Sequence, residues 1–158
     1  MDHTVVHFEI PADQPERAAK FYRDLFGWEI SKWEGSAEER EGMADYRPQN
    51  FEYWMVRTVP TDANGMPTRP GVNGGLMPRM YPGQALVNYI SVDSVDEFVK
   101  RAERLGAKIM MGKSPVPGMG WFAQFTDPEG NVFAIWENDT NAGQTSGTMS
   151  GEARNAGK

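Results

Sequence analysis

Two residues on one short apolar stretch carry most of the chemistry this sequence can offer: His7 and Glu9, in Val5-Val6-His7-Phe8-Glu9-Ile10-Pro11-Ala12. At i and i+2 of a strand they lie about 6.6 Å apart on one face. Both side chains can then meet one ion, one water or one substrate proton. Three chemistries use such a pair: part of a divalent-metal site, a metal-free acid–base pair, or a structural His–Glu hydrogen bond. The chain has two His and no Cys, so thiolate nucleophiles, zinc–thiolate sites, iron–sulfur clusters and disulfides are excluded. His3 shares the face with His7, but about 13 Å along an extended strand is too far for joint chelation. A metal here would therefore have one imidazole and one carboxylate, and would stay mostly hydrated.

The 158 residues predict a single domain, and a 39% hydrophobic share with five Trp, eight Phe and five Tyr supplies a core without covalent staples. Lys and Arg number 16 against 22 Asp and Glu, a net charge of −6. With no basic cluster, nucleic acid is not the expected partner. Met1-Asp2-His3-Thr4 lacks the basic and apolar regions of a signal peptide, and no apolar run nears the roughly 18 residues of a membrane span. The expected setting is cytoplasmic, away from membranes.

The elements that must position His7 and Glu9 repeat. His7 to Ile10 predicts a strand; Asp13 and Glu16 predict a capping box; Ala18, Phe21, Tyr22 and Leu25 recur at helical spacing up to Gly27; Trp28 to Ile30 is a second strand. About eighty residues on, Asn88 to Val92 is a strand, Ser94 and Glu97 a second capping box, Val95, Phe98, Ala102 and Leu105 an apolar stripe ending at Gly106, and Lys108 to Met110 a strand. Further strands are predicted at Phe51 to Val59, Gly71 to Pro78, Trp121 to Thr126 and Asn131 to Glu137. The last two flank Asp127-Pro128-Glu129-Gly130, a type I turn signal. The expected fold is α+β: two tandem βαβββ modules, about 3–80 and about 85–138, forming a cup-shaped mixed sheet with helices on the outer face. Residues 1–138 form the expected domain. The Asn, Thr, Gly, Ser and Ala-rich stretch 139–158 predicts a disordered tail.

The repeated modules, the first strand carrying His7, and the closing Phe125-Thr126-Asp127-Pro128-Glu129-Gly130-Asn131-Val132-Phe133 resemble the vicinal oxygen chelate superfamily. That group includes glyoxalase I, extradiol dioxygenases, fosfomycin-resistance enzymes and bleomycin-binding proteins. The resemblance implies a cup, usually within a homodimer, holding a divalent metal through His, Glu or Gln on the first and last strands of each module. His7 matches the first ligand. Val72 to Met77 holds no His, Glu or Gln where the second is implied. The third position falls on Val87 when aligned by the connecting Asp residues, or on Asn88 when aligned by the helix caps. The fourth falls on Ala134, and Glu137 lies on the opposite face from it.

Trp54, Trp121 and Trp136 are candidates to line the cup beside Ala134, the alternative being packing at an interface. Gly118-Met119-Gly120-Trp121-Phe122-Ala123 matches a dinucleotide fingerprint on paper, but it opens a strand rather than a helix and lacks the anion-binding N-terminus. Gly74-Gly75 predicts close approach of a neighbour or ligand to the strand. The acidic stretch Glu34 to Glu41 predicts a solvated loop or a short exposed helix, able to cover the cup. Arg57, Arg69 and Arg79 would meet an anion only if they faced inward. The function expected is binding of a small molecule in a cup whose metal site is incomplete. The alternative is an enzyme using His7 and Glu9, with or without a divalent metal, and the third possibility is a non-catalytic interaction module.

Overall fold

Alternation along β1 (Val5–Ala12) sorts the molecule into two faces: Phe8 and Ile10 pack against the first helix, while His7 and Glu9 point to the other side of the sheet. Val6, in phase with Phe8, remains exposed near the strand's start. A computed structural model describes residues 1–144. Following β1 are α1 (Pro15–Phe26), β2 (Glu29–Lys32), α2 (Ala37–Gly42), β3 (Trp54–Arg57), β4 (Gly74–Pro78), β5 (Val87–Ser91), α3 (Val95–Arg104), β6 (Lys108–Val116), β7 (Gly120–Thr126) and β8 (Val132–Asn138).

The eight strands form one curved open sheet in the order β2-β3-β4-β1-β5-β8-β7-β6. Each half repeats the same pattern. β1 runs parallel to β4 as β5 does to β8, and the antiparallel β1–β5 pair joins the halves with His7 opposite Tyr89 and Glu9 opposite Val87. Three apolar clusters follow. Ala19, Ile30, Trp54, Val56 and Leu76 pack under α1; Val92, Val95, Ala123, Phe125 and Ile135 pack under α3; Val87, Tyr89, Phe122 and Ala134 lie on the concave side.

Several local expectations need correction. Asp13 does not cap α1: Gln14 occupies the cap position without a side-chain bond, Pro15 starts the helix, and the Asp13 carboxylate binds Arg79. Proline at the first helical position sets the start by its fixed φ, which is sufficient without an Asx cap. The acidic stretch is the short helix α2, closed by a complete capping box between Ser36 and Glu39. It packs near the β6–β7 end through Gly42 and Pro117. Residues 139–144, expected in a disordered tail, form turns instead. Ala142 is buried and its carbonyl accepts from Gly118 N. The remainder of that stretch lies outside the described residues.

Glu137 serves the fold rather than the cup, since its carboxylate accepts the amide of Val95 at 2.7 Å, at the start of α3, beside the Ser94 cap. A carboxylate on free helix N–H groups also complements the helix dipole. Glu137→Ala is expected to lower unfolding stability by about 1–2 kcal/mol in urea titration. A loss of less than a few tenths of a kcal/mol would remove Glu137 from this role.

Candidate functional site

The concave face brings together side chains from both halves. On β1, His7 Nε2 lies 2.8 Å from the Tyr53 hydroxyl, and Glu9 Oε2 accepts from the Tyr89 hydroxyl at 2.8 Å. Gln124 Nε2 on β7 donates to the Tyr89 oxygen at 3.0 Å. The chain from Gln124 through Tyr89 to Glu9 thus crosses the β5–β8–β7 half and ends on β1. Arg47, carried by the connection between β2 and β3, brings its guanidinium to 3.6 Å from Glu9 Oε1. Glu9 and Arg47 are only 8% and 9% exposed, so each charge depends on the other and on the surrounding hydroxyls.

The aromatic walls come from Tyr46, Phe51, Tyr53, Tyr89 and Phe122. Tyr46 packs edge-on to Phe122 with ring centroids 5.2 Å apart and donates from its hydroxyl to the Pro115 carbonyl. Tyr89 meets His7 edge-on at 5.5 Å. Burial, followed by the Glu9 charge, pushes the Tyr53 and Tyr89 hydroxyls well above the usual tyrosine range, so both stay protonated and available as donors. Burial also lowers His7, with Glu9 opposing that shift, and the imidazole is held towards its neutral form.

Gly74 and Gly75 explain how β4 fits between these layers. A Cβ on Gly74 would lie 2.4 Å from the Phe8 carbonyl on the helix side, and one on Gly75 would lie 1.8 Å from the Tyr53 hydroxyl on the concave side. The missing side chains let two aromatic residues close on the strand from opposite faces. The close approach expected of this pair is therefore made by Phe8 and Tyr53.

The other candidates separate by face. Ala134 lies on the concave face with Val87 and Tyr89, with Trp136 partly buried beside them. Asn88 is exposed, leaving Val87 and Tyr89 as the inward residues of β5. Trp54 does not line the cup: it packs under α1 and its indole N–H donates to Glu16. Trp121 also lies on the helix side, with its indole N–H on Asp139 and Lys113 over its ring. Both are one residue out of phase with the cup, sharing the helix-side face with Val56 in β3 and with Ala123 and Phe125 in β7. Arg57 pairs with Glu29, and Arg79 with Asp13 and the carbonyls of Gln84 and Pro11. Arg69 is exposed.

Sequence reasoning missed Tyr53, Tyr89, Gln124 and Arg47. The signal for Tyr89 was its place two residues after Val87, and for Gln124 its position as the one polar residue in Phe122 to Phe125. Arg47 and Tyr53 sit in a long connection without periodicity, which offers no such signal.

The donor set does not fit a divalent metal. His7 Nε2 is bonded to Tyr53, the Glu9 oxygens face Tyr89 and Arg47, and the implied positions of further ligands are the stretch Val72 to Met77 without His, Glu or Gln, Val87 or the exposed Asn88, and Ala134. Among the described residues no three His, Cys, Asp or Glu side chains are grouped to hold an ion. In this structure His7 is a hydrogen-bonded residue of the cup, with Nε2 on the Tyr53 hydroxyl.

Comparison with known proteins agrees with this architecture. The family description matching residues 4–135 is the Glyoxalase/Bleomycin resistance protein/Dioxygenase superfamily. An anthracycline biosynthesis protein, DnrV of Streptomyces peucetius, is 27% identical over 133 residues, covering 82% of this chain and 45% of that protein. A glyoxylase-like domain-containing protein of Didymella fabae is 30% identical over 137 residues, covering 80% of this chain and 88% of that one. The chain spans about half the length of the first of these relatives. Among solved structures, a methylmalonyl-CoA epimerase of Streptomyces coelicolor in complex with 2-nitronate-propionyl-CoA superposes with a TM-score of 0.56 at 14% identity, covering 87% of this chain and 99% of that one, a likeness of fold. With the matched region taking in both halves of the sheet, the chain belongs to the glyoxalase/bleomycin resistance protein/dioxygenase superfamily.

Proposed function

We propose that this protein binds a small organic molecule in the cup, without a resident metal. The observation that carries the reading is the fixed polar floor, Gln124–Tyr89–Glu9 with His7–Tyr53, set among aromatic side chains. A few oriented polar groups within an apolar, aromatic lining is the usual makeup of a ligand pocket. The anthracycline-biosynthesis relatives support a small organic molecule as the ligand class. The same reading takes the protein as a cytoplasmic homodimer, dimers being frequent in this superfamily.

A second reading, metal-free acid–base catalysis, rests on His7. A near-neutral imidazole hydrogen-bonded to a buried tyrosine can accept a proton from a bound substrate, provided the substrate reaches Nε2. In that case His7→Ala abolishes turnover of an identified substrate while leaving its binding measurable.

Screening metabolite-like compounds by thermal shift and calorimetry is expected to give a ligand that raises the melting temperature. Tyr89→Phe, which strips the Glu9 carboxylate of a donor, should weaken that ligand about tenfold or more. An undiminished affinity in Tyr89→Phe would move the binding site elsewhere, and a screen with no ligand at all would count against the reading.

The depressed His7 pKa has its own consequence. Between the folded value and 6.5 the unfolded chain binds more protons, so stability rises with pH through that window and falls as pH drops below 6.5. Titration of the His7 ring by NMR should give a midpoint below 6.5, and wild type should lose more stability than His7→Gln on going from pH 7.5 to 5. A midpoint at or above 6.5 would show that the imidazole is not held neutral.

A further inference from the structure

The buried Arg47 guanidinium has few oxygen partners. Its distance of 3.6 Å from Glu9 Oε1 makes an ion pair but not a hydrogen bond. Among the described residues its side-chain hydrogen bonds reach only thioethers, Met80 Sδ at 3.3 Å and Met77 Sδ at 4.0 Å, which are weak acceptors. What holds it is aromatic: the guanidinium carbon lies 4.5 Å from the Phe51 ring centroid and 5.7 Å from that of Tyr46. Glu9, by contrast, is fixed on a central strand and anchored by Tyr89.

The two halves of that pair also differ in how they are attached. Arg47 belongs to the connection 33–53, whose residues between α2 and β3 are in neither helix nor sheet. Arg47 N is tied to Met43 O within the same connection. Two open surface grooves lie away from the cup, one of about 400 Å³ beside the start of α1 and one on α3. With Arg47 beside Glu9 and the rings of Tyr46 and Phe51 against its guanidinium, a molecule that reaches the carboxylate takes space that the connection now fills. When Arg47 leaves, the floor retains one buried carboxylate facing aromatic rings, in a chain of net charge −6.

We infer that the cup takes a cationic small molecule bearing an amidinium, guanidinium or ammonium group on an apolar body, and that Arg47 occupies the place of that group when no ligand is bound. An anion in the same place would stand against the Glu9 carboxylate, leaving that charge unpaired. A cation restores the pair and can add the hydrogen bond that Arg47 does not make. This rests on the proposal that the cup is a ligand site.

The test uses three probes of one shape, benzamidine, benzamide and benzoate, with calorimetry on the full chain. Benzamidine is expected to bind Arg47→Ala about tenfold or more tighter than wild type, since its intramolecular competitor is gone, and about tenfold or more tighter than the neutral and anionic probes. Adding Glu9→Gln should erase that preference. Arg47→Met, which keeps an apolar chain in the space, serves if Arg47→Ala does not fold, with the same expected order of probes. Benzoate binding to wild type that is lost in Arg47→Ala would make Arg47 an anion receptor and overturn the charge assignment while leaving the ligand site intact. If no probe binds any variant, the assignment falls; if the wider compound screen is also empty, the ligand-site reading falls with it.

Discussion

Glu9 sits on a strand with β4 paired on one edge and β5 on the other, so its carboxylate is 8% exposed and must find its compensation inside the protein. Burying an ionised carboxylate costs several kcal/mol even after relaxation. The arrangement of the cup follows from that constraint. Tyr89 is oriented by donating to Glu9, Gln124 is oriented by donating to Tyr89, and Arg47 is drawn in as the counter-charge. The same negative charge raises the two tyrosines further, beyond what burial does alone, and so keeps them as donors. Replacing the carboxylate by an apolar group would remove the reason for each of these placements.

The fold was legible because both halves obey the same local rules. Alternation in β1, the Ser94 cap, the glycine after each long helix and the Asp127–Gly130 turn, closed by Gly130 N on Asp127 O, are short-range signals that the structure carries out. The site was legible only where the sheet's alternation has contrast. His7 and Glu9 are polar residues between apolar ones, and Ala134 and Trp136 follow the phase of their strand. Trp54 and Trp121 follow the helix-side phase of Val56 and of Ala123 and Phe125, with Arg57 and Gln124 on the opposite face of their strands. Arg47 and Tyr53 enter from outside the sheet, and their positions depend on the whole connection 33–53 rather than on neighbours in sequence.

The chain keeps the family's sheet while filling the expected ligand positions differently. On β4, Gly75 leaves room for Tyr53; on β5 the implied position holds the buried Val87 or the exposed Asn88; on β8 Ala134 offers only a methyl group. Each of these residues favours hydrogen-bond donors and apolar contact over ion coordination. The oxygens and nitrogens that remain are held in place by hydrogen bonds to one another, Gln124 to Tyr89, Tyr89 to Glu9 and His7 to Tyr53. This makes the identity of the family informative about architecture and much less informative about chemistry.

The hydrogen-bonded line from Gln124 through Tyr89 to Glu9 runs across the single antiparallel seam, β1 against β5, that joins the two halves of the sheet. Each half has its own helix and its own apolar cluster, and so has the material for partly independent local opening. Polar bridges across the seam oppose that independence. A molecule seated on them would draw part of its binding energy from both sides at once, and by mass action would make the halves open together rather than singly. Occupancy of the cup would then be coupled to the cooperativity of unfolding, and amide exchange in β2 and in β6, at the two far edges of the sheet, would become a remote reporter of what is bound in the middle.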